Sequence, residues 1–123
     1  MVNSYFFDSY AFYEIMEGNR NYDPYYKDVV IYTTRLNLME LHYGLLVKYG
    51  KKTADALYDE LLQFAVDIDD AIIKKANEFR SIFRKRKLSY VDCIGYTIAK
   101  SIGVPFLTGD QQFKDMDNVE FVK

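Results

Sequence analysis

The sequence lacks several features that particular classes of protein require. Its single cysteine, Cys93, excludes a disulfide framework and a cysteine-based zinc site, and it favours a reducing compartment. Its single histidine, His42, excludes a catalytic mechanism that depends on a pair of histidines. No run of about 18 apolar residues is present to span a membrane, and the first residues lack the basic segment and apolar stretch of a secretion signal. We therefore expect a cytoplasmic protein with no membrane partner.

The composition is typical of a folded protein with little net charge. Of the 123 residues, 50% are hydrophobic and 28% are charged, which argues against disorder. A chain of this length can bury a sizeable core without disulfides or a structural metal, and we expect one domain over residues 1–123. Because the formal net charge is -2, the overall charge does not indicate a nucleic-acid partner. Any such site must be local.

Short apolar runs alternate with longer segments of helical periodicity. The predicted strands are residues 4–7, 28–32, 65–68, 104–108 and 119–122. The predicted helices are residues 10–16, 34–49, 53–64, a helix that follows a cap at Asp69 or Asp70 and ends in residues 84–87, and 89–102. Ser9 and Ser89 are further predicted caps, and Gly50 and Gly103 are predicted stops. Helix 34–49 is apolar nearly all the way round, so we expect it to be buried on most sides. The alternation predicts an α/β domain with a mainly parallel sheet.

Four acidic residues stand at positions that suggest a ligand site. Asp8 directly follows the first predicted strand and Asp110 lies two residues beyond the fourth, at strand ends where parallel sheets bind ligands. Asp92 lies in the first turn of a helix, where the helix dipole tolerates negative charge. Glu40 lies within an apolar helix, where an unpaired carboxylate requires a cation or hydrogen-bond donors. If the four converge, their repulsion requires a bound cation, and an oxygen-only set favours Mg²⁺ or Mn²⁺ over zinc.

Each acid also has a structural interpretation when it is taken alone. Asp8 and Asp110 suit ordinary turns or caps. Asp92 completes a capping box with Ser89, and Glu40 can pair with a cation on its own helix. Spacing along the chain does not distinguish the two interpretations, because convergence is a property of the folded chain.

Four short motifs contain these acids, in a fixed order along the chain. They are Phe-Phe-Asp8-Ser, Asn37-Leu-Met-Glu40-Leu, Leu-Ser89-Tyr-Val-Asp92-Cys-Ile and Phe-Leu-Thr108-Gly-Asp110-Gln-Gln-Phe113. In this order they resemble the PIN domain, and most of all the small archaeal members of the VapC-type toxin ribonucleases. The resemblance extends over essentially the whole chain. It departs from the family at Tyr10, where many members have a small hydroxyl residue.

The resemblance implies a fold, a chemistry and partners. It implies a three-layer α/β/α domain with a central, mainly parallel sheet, which binds Mg²⁺ or Mn²⁺ and hydrolyses single-stranded RNA. It also implies a homodimer and a protein antitoxin that inhibits the enzyme. The family's catalytic and metal-binding acids correspond to Asp8, Glu40, Asp92 and Asp110, and its supporting hydroxyl positions to Ser9 and Thr108. The alternatives are a PIN-fold module that binds RNA or protein without catalysis, and a housekeeping RNA-processing nuclease without an antitoxin.

A local basic segment is the candidate RNA-binding surface. It consists of Arg80, Arg84, Lys85, Arg86 and Lys87, which shortly precede Asp92 and can hold phosphates beside it. Cations near a helix C-terminus also complement the helix dipole, so a structural role is an equal alternative.

The tyrosines divide into two predicted groups. Tyr10, Tyr13, Tyr22, Tyr25 and Tyr26 cluster around the first helix, where amphipathic side chains suit a protein interface and, as a second use, stacking on unpaired RNA bases. Tyr5, Tyr32, Tyr43 and Tyr96 are expected within or beside the core.

Overall fold

A computed structural model describes residues 2–123, which form one parallel sheet flanked by helices. The strands are β1 (Asn3–Phe7), β2 (Val29–Tyr32), β3 (Phe106–Thr108) and β4 (Val119–Phe121), in the order β2-β1-β3-β4. The helices are α1 (Ser9–Met16), α2 (Arg35–Tyr49), α3 (Lys51–Leu61), α4 (Asp70–Ile82) and α5 (Tyr90–Ile102). Short 3-10 turns cover Arg20–Tyr25, Leu62–Phe64 and Gln111–Phe113. The predicted α/β class with a parallel sheet is confirmed.

Helices lie on both faces of the sheet, because neighbouring strand residues point to opposite sides. Phe6 and Phe106 pack with α4 and α5, whereas the next residues along each strand, Phe7 and Leu107, pack with α1 and α2. All four side chains are fully buried. The arrangement is the expected three-layer α/β/α domain.

Side-chain caps determine where most of the helices begin. Thr34 caps α2, Asp69 caps α4 and Ser89 caps α5, and the predicted capping box between Ser89 and Asp92 is present. The prediction that Ser9 caps the first helix was wrong, because the cap is Asp8. Asp8 has an extended backbone at the end of β1, and its carboxylate accepts the N–H of Ser9.

Residues 65–68 do not form the predicted strand. Of these residues only Ala65 forms a β-bridge, which is a single parallel pairing with Thr33 directly after β2. The N–H of Thr33 donates to Phe64, and the N–H of Val66 donates back to Thr33. Pairing ends there because the chain arrives from a 3-10 turn and Asp69 soon caps α4, which leaves too few residues for a ladder.

Helix α2 is more exposed than its sequence indicates. Its buried residues form one stripe, Asn37, Leu38, Leu41 and Leu45, whereas Tyr43 is 69% exposed and Val47 is 72% exposed. Apolar residues nearly all round therefore do not produce a fully buried helix. Tyr43 lies on a core-forming helix, as expected, but its own side chain points to solvent, as do those of Met39 and Val47.

Several tyrosines are structural. Tyr22 is fully buried and its hydroxyl donates to the carbonyl of Val122 at 2.6 Å, so its expected place at an interface was wrong. Tyr25 donates to Glu120, and Tyr96 is buried and donates to Asp117. These bonds satisfy the polar ends of large apolar side chains.

In the part of the chain described, no helix is both long and apolar enough to cross a membrane.

The ring of Phe106 occupies the centre of the α4/α5 side of the core, and its removal should destabilise the fold. Its centroid lies 4.9 Å from that of Phe113 and 5.7 Å from that of Phe6. We expect Phe106→Ala to lower the free energy of unfolding by about 3–5 kcal/mol, measured by urea denaturation. The exposed Ile82 provides a matched control, since Ile82→Ala should change it by less than about 0.5 kcal/mol. Equal losses in the two variants would contradict this description of the core.

Candidate active site

The four acids predicted from the sequence line one open pocket of about 460 Å³. Asp8 follows β1 and Asp110 follows the adjacent strand β3, so both lie at the carboxyl edge of the sheet. Asp92 reaches the pocket from the first turn of α5, and Glu40 reaches it from α2. The remaining lining residues are Ser9, Tyr10, Tyr13 and Glu14 of α1. We refer to this space as the acid pocket.

Asp8 is the most buried of the four acids, with 3% of its surface exposed. Its Oδ1 accepts the N–H of Ser9 at 2.8 Å, and its Oδ2 accepts the hydroxyl of Thr108 at 2.6 Å. Burial raises the pKa of Asp8 to about 7, and the negative charge of Asp92 adds to the rise. The bond from Thr108 lowers the pKa in part, and Glu40 raises it further. The proton of Asp8 is therefore held near neutral pH unless a cation compensates the charge.

Asp92 serves as a helix cap and also lines the acid pocket. Its Oδ2 accepts the backbone N–H of Ser89 at 2.9 Å. Burial raises the pKa of Asp92 above its usual range; the bonds from Ser89 oppose the rise, and the charges of Asp110 and Glu40 add to it. The capping-box interpretation is thus correct, and it is compatible with a place in the site.

Asp110 likewise combines turn chemistry with a place in the pocket. Its Oδ1 accepts the N–H of Gln112 at 3.0 Å, which begins the 3-10 turn Gln111–Phe113. Its own N–H donates to the Thr108 hydroxyl at 3.1 Å. Thr108 therefore bonds to both Asp8 and Asp110 through one hydroxyl oxygen.

Glu40 is held by a hydroxyl and not by a cation. Its Oε1 accepts the Ser9 hydroxyl at 2.7 Å, and Lys48 of the same helix pairs with Glu17 instead. Within residues 2–123, no Lys or Arg lies within ion-pair distance of Glu40. The alternative, in which Glu40 pairs with a cation on α2, is not seen among these residues, and Ser9 instead bonds directly to Glu40.

A buried network that the sequence did not single out positions Ser9. Asn37 is fully buried, its Nδ2 lies 3.3 Å from the Ser9 hydroxyl, and its backbone carbonyl lies 3.1 Å from the same oxygen. The Thr34 hydroxyl donates to Oδ1 of Asn37 at 2.7 Å. The signal available was a polar pair, Thr34 and Asn37, at the start of an otherwise apolar helix, where buried polar groups require partners.

The donor set of the acid pocket fits a hard divalent cation. Its polar lining groups are mainly carboxylates and hydroxyls, whose oxygen atoms are the ligands that hard divalent cations prefer. As they stand in residues 2–123, no three His, Cys, Asp or Glu side chains are grouped tightly enough to hold an ion. Each of the four carboxylates accepts a bond from a protein donor, and their like charges repel one another.

The basic segment is not part of the lining of the acid pocket. Arg86 forms a bidentate pair with Asp115 at 2.8 and 2.9 Å, and Arg84 donates to a carbonyl at the end of α4. The guanidinium of Arg80 lies 4.2 Å from the ring centroid of Tyr90. Structural roles therefore account for these three arginines, while Lys85 and Lys87 are exposed.

Neither of the remaining reactive side chains is available for catalysis at the acid pocket. His42 bonds to Asp55 at 2.8 Å on the far side of α2, in a separate depression. Cys93 is 1% exposed, and burial raises the pKa of its thiol to about 11. A buried thiol that keeps its proton is a poor nucleophile.

Comparisons with known proteins agree with the geometry. A family model for the PIN domain matches residues 5–119. VapC20 of Mycobacterium tuberculosis, a toxin that cleaves the sarcin–ricin loop, is similar with a TM-score of 0.75 and 20% identity over 96% of each chain. VapBC from Salmonella typhimurium gives 0.74 and 15% identity over 99% of this chain and 98% of that one. A protein from Pyrobaculum aerophilum gives 0.67 and 16% identity over 99% and 92%. No curated protein matches the chain.

The raised pKa of Asp8 predicts how stability depends on pH when divalent ions are absent. Its folded pKa of about 7 exceeds the ordinary 3.8, so the folded state holds the proton more tightly. The contribution of this carboxyl to the free energy of unfolding is fully present below pH 3.8, and it is lost as the pH rises through about 7. Asp8→Asn keeps an oxygen to accept the Ser9 N–H and has no charge. It should melt at pH 8 in EDTA no lower than the wild type, and its melting temperature should fall less between pH 5 and pH 8.

The matched control is Asp67→Asn, which changes an exposed aspartate and should leave the pH profile unaltered. A clear drop in melting temperature for Asp8→Asn at pH 8 would contradict the prediction and would make Asp8 a purely structural cap.

Proposed function

The chain belongs to the PIN domain family, and we propose that it is a metal-dependent endoribonuclease that hydrolyses single-stranded RNA as the toxin of a toxin–antitoxin pair. The observation that carries this proposal is the arrangement of four carboxylates around one open pocket at the carboxyl edge of the sheet. A set of mutually repelling acids is unfavourable without a cation, so its presence supports a site built for one. The reaction class follows from what such a cation does to a phosphodiester.

Asp8, Asp92 and Asp110 are the proposed ligands of Mg²⁺ or Mn²⁺, and Glu40 completes a second metal site or orients the attacking water. When bound, the ion supplies a more acidic water and neutralises charge that develops on the leaving oxygen. Thr108 holds Asp8 and Asp110 in register through its single hydroxyl. Ser9 keeps the Glu40 carboxylate directed at the pocket. In-line attack at the phosphate then depends on side chains that are already positioned.

A protein antitoxin and a second copy of the chain are the proposed protein partners. Solved structures of this fold include a toxin–antitoxin complex from Klebsiella pneumoniae, with a TM-score of 0.73 and 16% identity over 94% of each chain. In this chain, α2 presents Met39, Tyr43 and Val47 to solvent, at 55%, 69% and 72% exposure. Apolar patches of this kind are typical of protein-binding surfaces. We propose that α2 contributes to protein contacts, beside the acid pocket that its Glu40 lines.

Removal of the Asp92 charge should abolish RNA cleavage while the fold remains intact. Asn at this position retains an oxygen for the Ser89 N–H, so the capping box can persist. We expect Asp92→Asn to reduce the rate of cleavage of a single-stranded RNA in Mn²⁺ or Mg²⁺ by at least about a hundredfold, since even residues that only support metal ligands contribute 10- to 100-fold. The melting temperature should be unchanged.

Asp67→Asn, purified in the same way, should cleave like the wild type, and EDTA should stop both. Cleavage by Asp92→Asn at the wild-type rate would contradict the proposal. Cleavage that proceeds in EDTA would contradict the metal requirement.

The two exposed lysines of the basic segment should affect RNA binding only. Because Arg86 is committed to Asp115, we expect the double change Lys85→Ala and Lys87→Ala to weaken RNA binding and to reduce the salt slope by about 0.7 per lost phosphate contact. The free energy of unfolding of the double variant should not change, whereas Arg86→Ala should lower it. Fluorescence anisotropy of a labelled single-stranded RNA, measured across a salt series, tests this. An unaltered salt slope in the double variant would leave the segment with a structural role alone.

A further inference from the structure

Two tyrosines contribute an aromatic surface to the acid pocket. Tyr10 and Tyr13 lie on α1 with Ser9 and Glu14, and the pairs Ser9/Tyr13 and Tyr10/Glu14 each lie one turn apart on neighbouring stripes. Both rings are half-buried. One surface of α1 therefore presents rings to the same space that the four acids line.

Two glycines make room for these rings. A Cβ on Gly109 would clash with the Tyr10 ring and with the Val122 carbonyl oxygen, and a Cβ on Gly44 would clash with the ring and the hydroxyl of Tyr13. Gly44 stands inside α2, where glycine is less favourable than alanine. Its position is best explained by the close approach of Tyr13.

The glycines also place the rings beside the acids. Gly109 directly precedes Asp110, and Gly44 lies one helical turn after Glu40. Each ring therefore rests against the backbone segment that carries one of the acids. A substrate group that contacts these rings is held next to the reacting phosphate.

The hydroxyls of Tyr10 and Tyr13 differ from those of the structural tyrosines. Tyr22, Tyr25 and Tyr96 each donate to a carbonyl or a carboxylate. Among the hydrogen bonds of residues 2–123, none involves the hydroxyl of Tyr10 or Tyr13. Neither hydroxyl is therefore used in a side-chain bond within the described residues.

We propose that Tyr10 and Tyr13 form a subsite that binds an unpaired nucleobase adjacent to the scissile phosphate. The proposal rests on the proposed ribonuclease function and specifies which part of the RNA Tyr10 and Tyr13 contact. A phosphate group is negatively charged, so it needs a bound cation to approach the four carboxylates. A nucleobase is flat and uncharged, so it can stack on a tyrosine ring and form a hydrogen bond with the tyrosine hydroxyl. The ammonium of Lys123, 5.7 Å from the centroid of the Tyr10 ring, adds positive charge for a flanking phosphate.

The test compares ring-removing and ring-keeping variants on RNA with and without the base. Single-stranded oligonucleotides that carry the mapped cleavage site are prepared intact and with one abasic nucleotide on either side of it. We expect Tyr10→Leu and Tyr13→Leu to raise KM for the intact RNA by about tenfold or more, with a smaller effect on kcat. Tyr10→Phe and Tyr13→Phe keep the ring and lose only the hydroxyl, so they should raise KM by less than the Leu changes. On the abasic substrate the wild type should already be impaired, and the Leu changes should add little.

Tyr26→Leu is the control, since this exposed tyrosine lies outside the acid pocket. Unchanged KM in both Leu variants, or an equal additional loss on intact and abasic RNA, would overturn the subsite and leave the rings as packing groups or as a protein-binding surface. A loss confined to kcat would overturn it as well.

A separate binding assay keeps the subsite testable if the proposed function fails. Anisotropy in Mn²⁺ measures binding of intact and abasic RNA to Asp92→Asn, alone and combined with each Leu change. If the wild type cleaves no RNA, the nuclease proposal fails, but a base-dependent loss of affinity in the Leu variants still supports the subsite. Equal affinity of all variants for both RNAs overturns it.

Discussion

The hydrogen bond between Thr108 and Asp8 is the interaction on which the site depends. It joins the ends of two adjacent strands at 2.6 Å, between residues 100 positions apart in the sequence. Asp8 is almost fully buried, and its charge lies in a field made more negative by Asp92 and Glu40. Without a fixed donor, so buried a carboxylate would be strongly unfavourable. The parallel pairing of β1 with β3 supplies that donor, and the same hydroxyl also accepts the N–H of Asp110.

The acids of the pocket have structural roles in addition to their proposed functional ones. Asp8 begins α1, Asp92 forms part of the cap of α5, and Asp110 begins a 3-10 turn. The positive end of a helix and its free N–H groups tolerate a carboxylate that would otherwise be repelled by its neighbours. The caps therefore stabilise carboxylates that lie close to one another. A divalent ion requires such a group of negative charges. Glu40 is the exception, because it comes from the body of α2 and depends on Ser9 and Asn37 for its orientation.

Helix α2 contributes residues both to the acid pocket and to the exposed surface of the protein. Its buried stripe fills the core beside β1 and includes Asn37, which holds Ser9. Its Glu40 faces the acid pocket, and Gly44 one turn later admits the ring of Tyr13. Its outer side presents Tyr43 and Val47 to solvent. One helix thus borders the core, the proposed catalytic centre and the proposed partner surface, so a protein bound on its outer side would lie close to the acids.

The sequence by itself determined the α/β alternation, the capping box of Ser89 and Asp92, the stop at Gly103 and the four acids at their characteristic places. These features depend on hydrogen bonds and side-chain periodicity within a turn or two of the chain. Only the tertiary structure decided that Asp8 and not Ser9 caps α1, that residues 65–68 make a single bridge, that Tyr22 is buried and Tyr43 exposed, and that Asn37 supports the site. The last three depend on partners distant in the chain, as does the convergence of the acids. The cap of α1 is a local bond, but the Ser9 hydroxyl bonds to the distant Glu40 instead of to its own helix. Local pattern cannot encode such contacts, because burial and hydrogen bonding there depend on which strands and helices become neighbours.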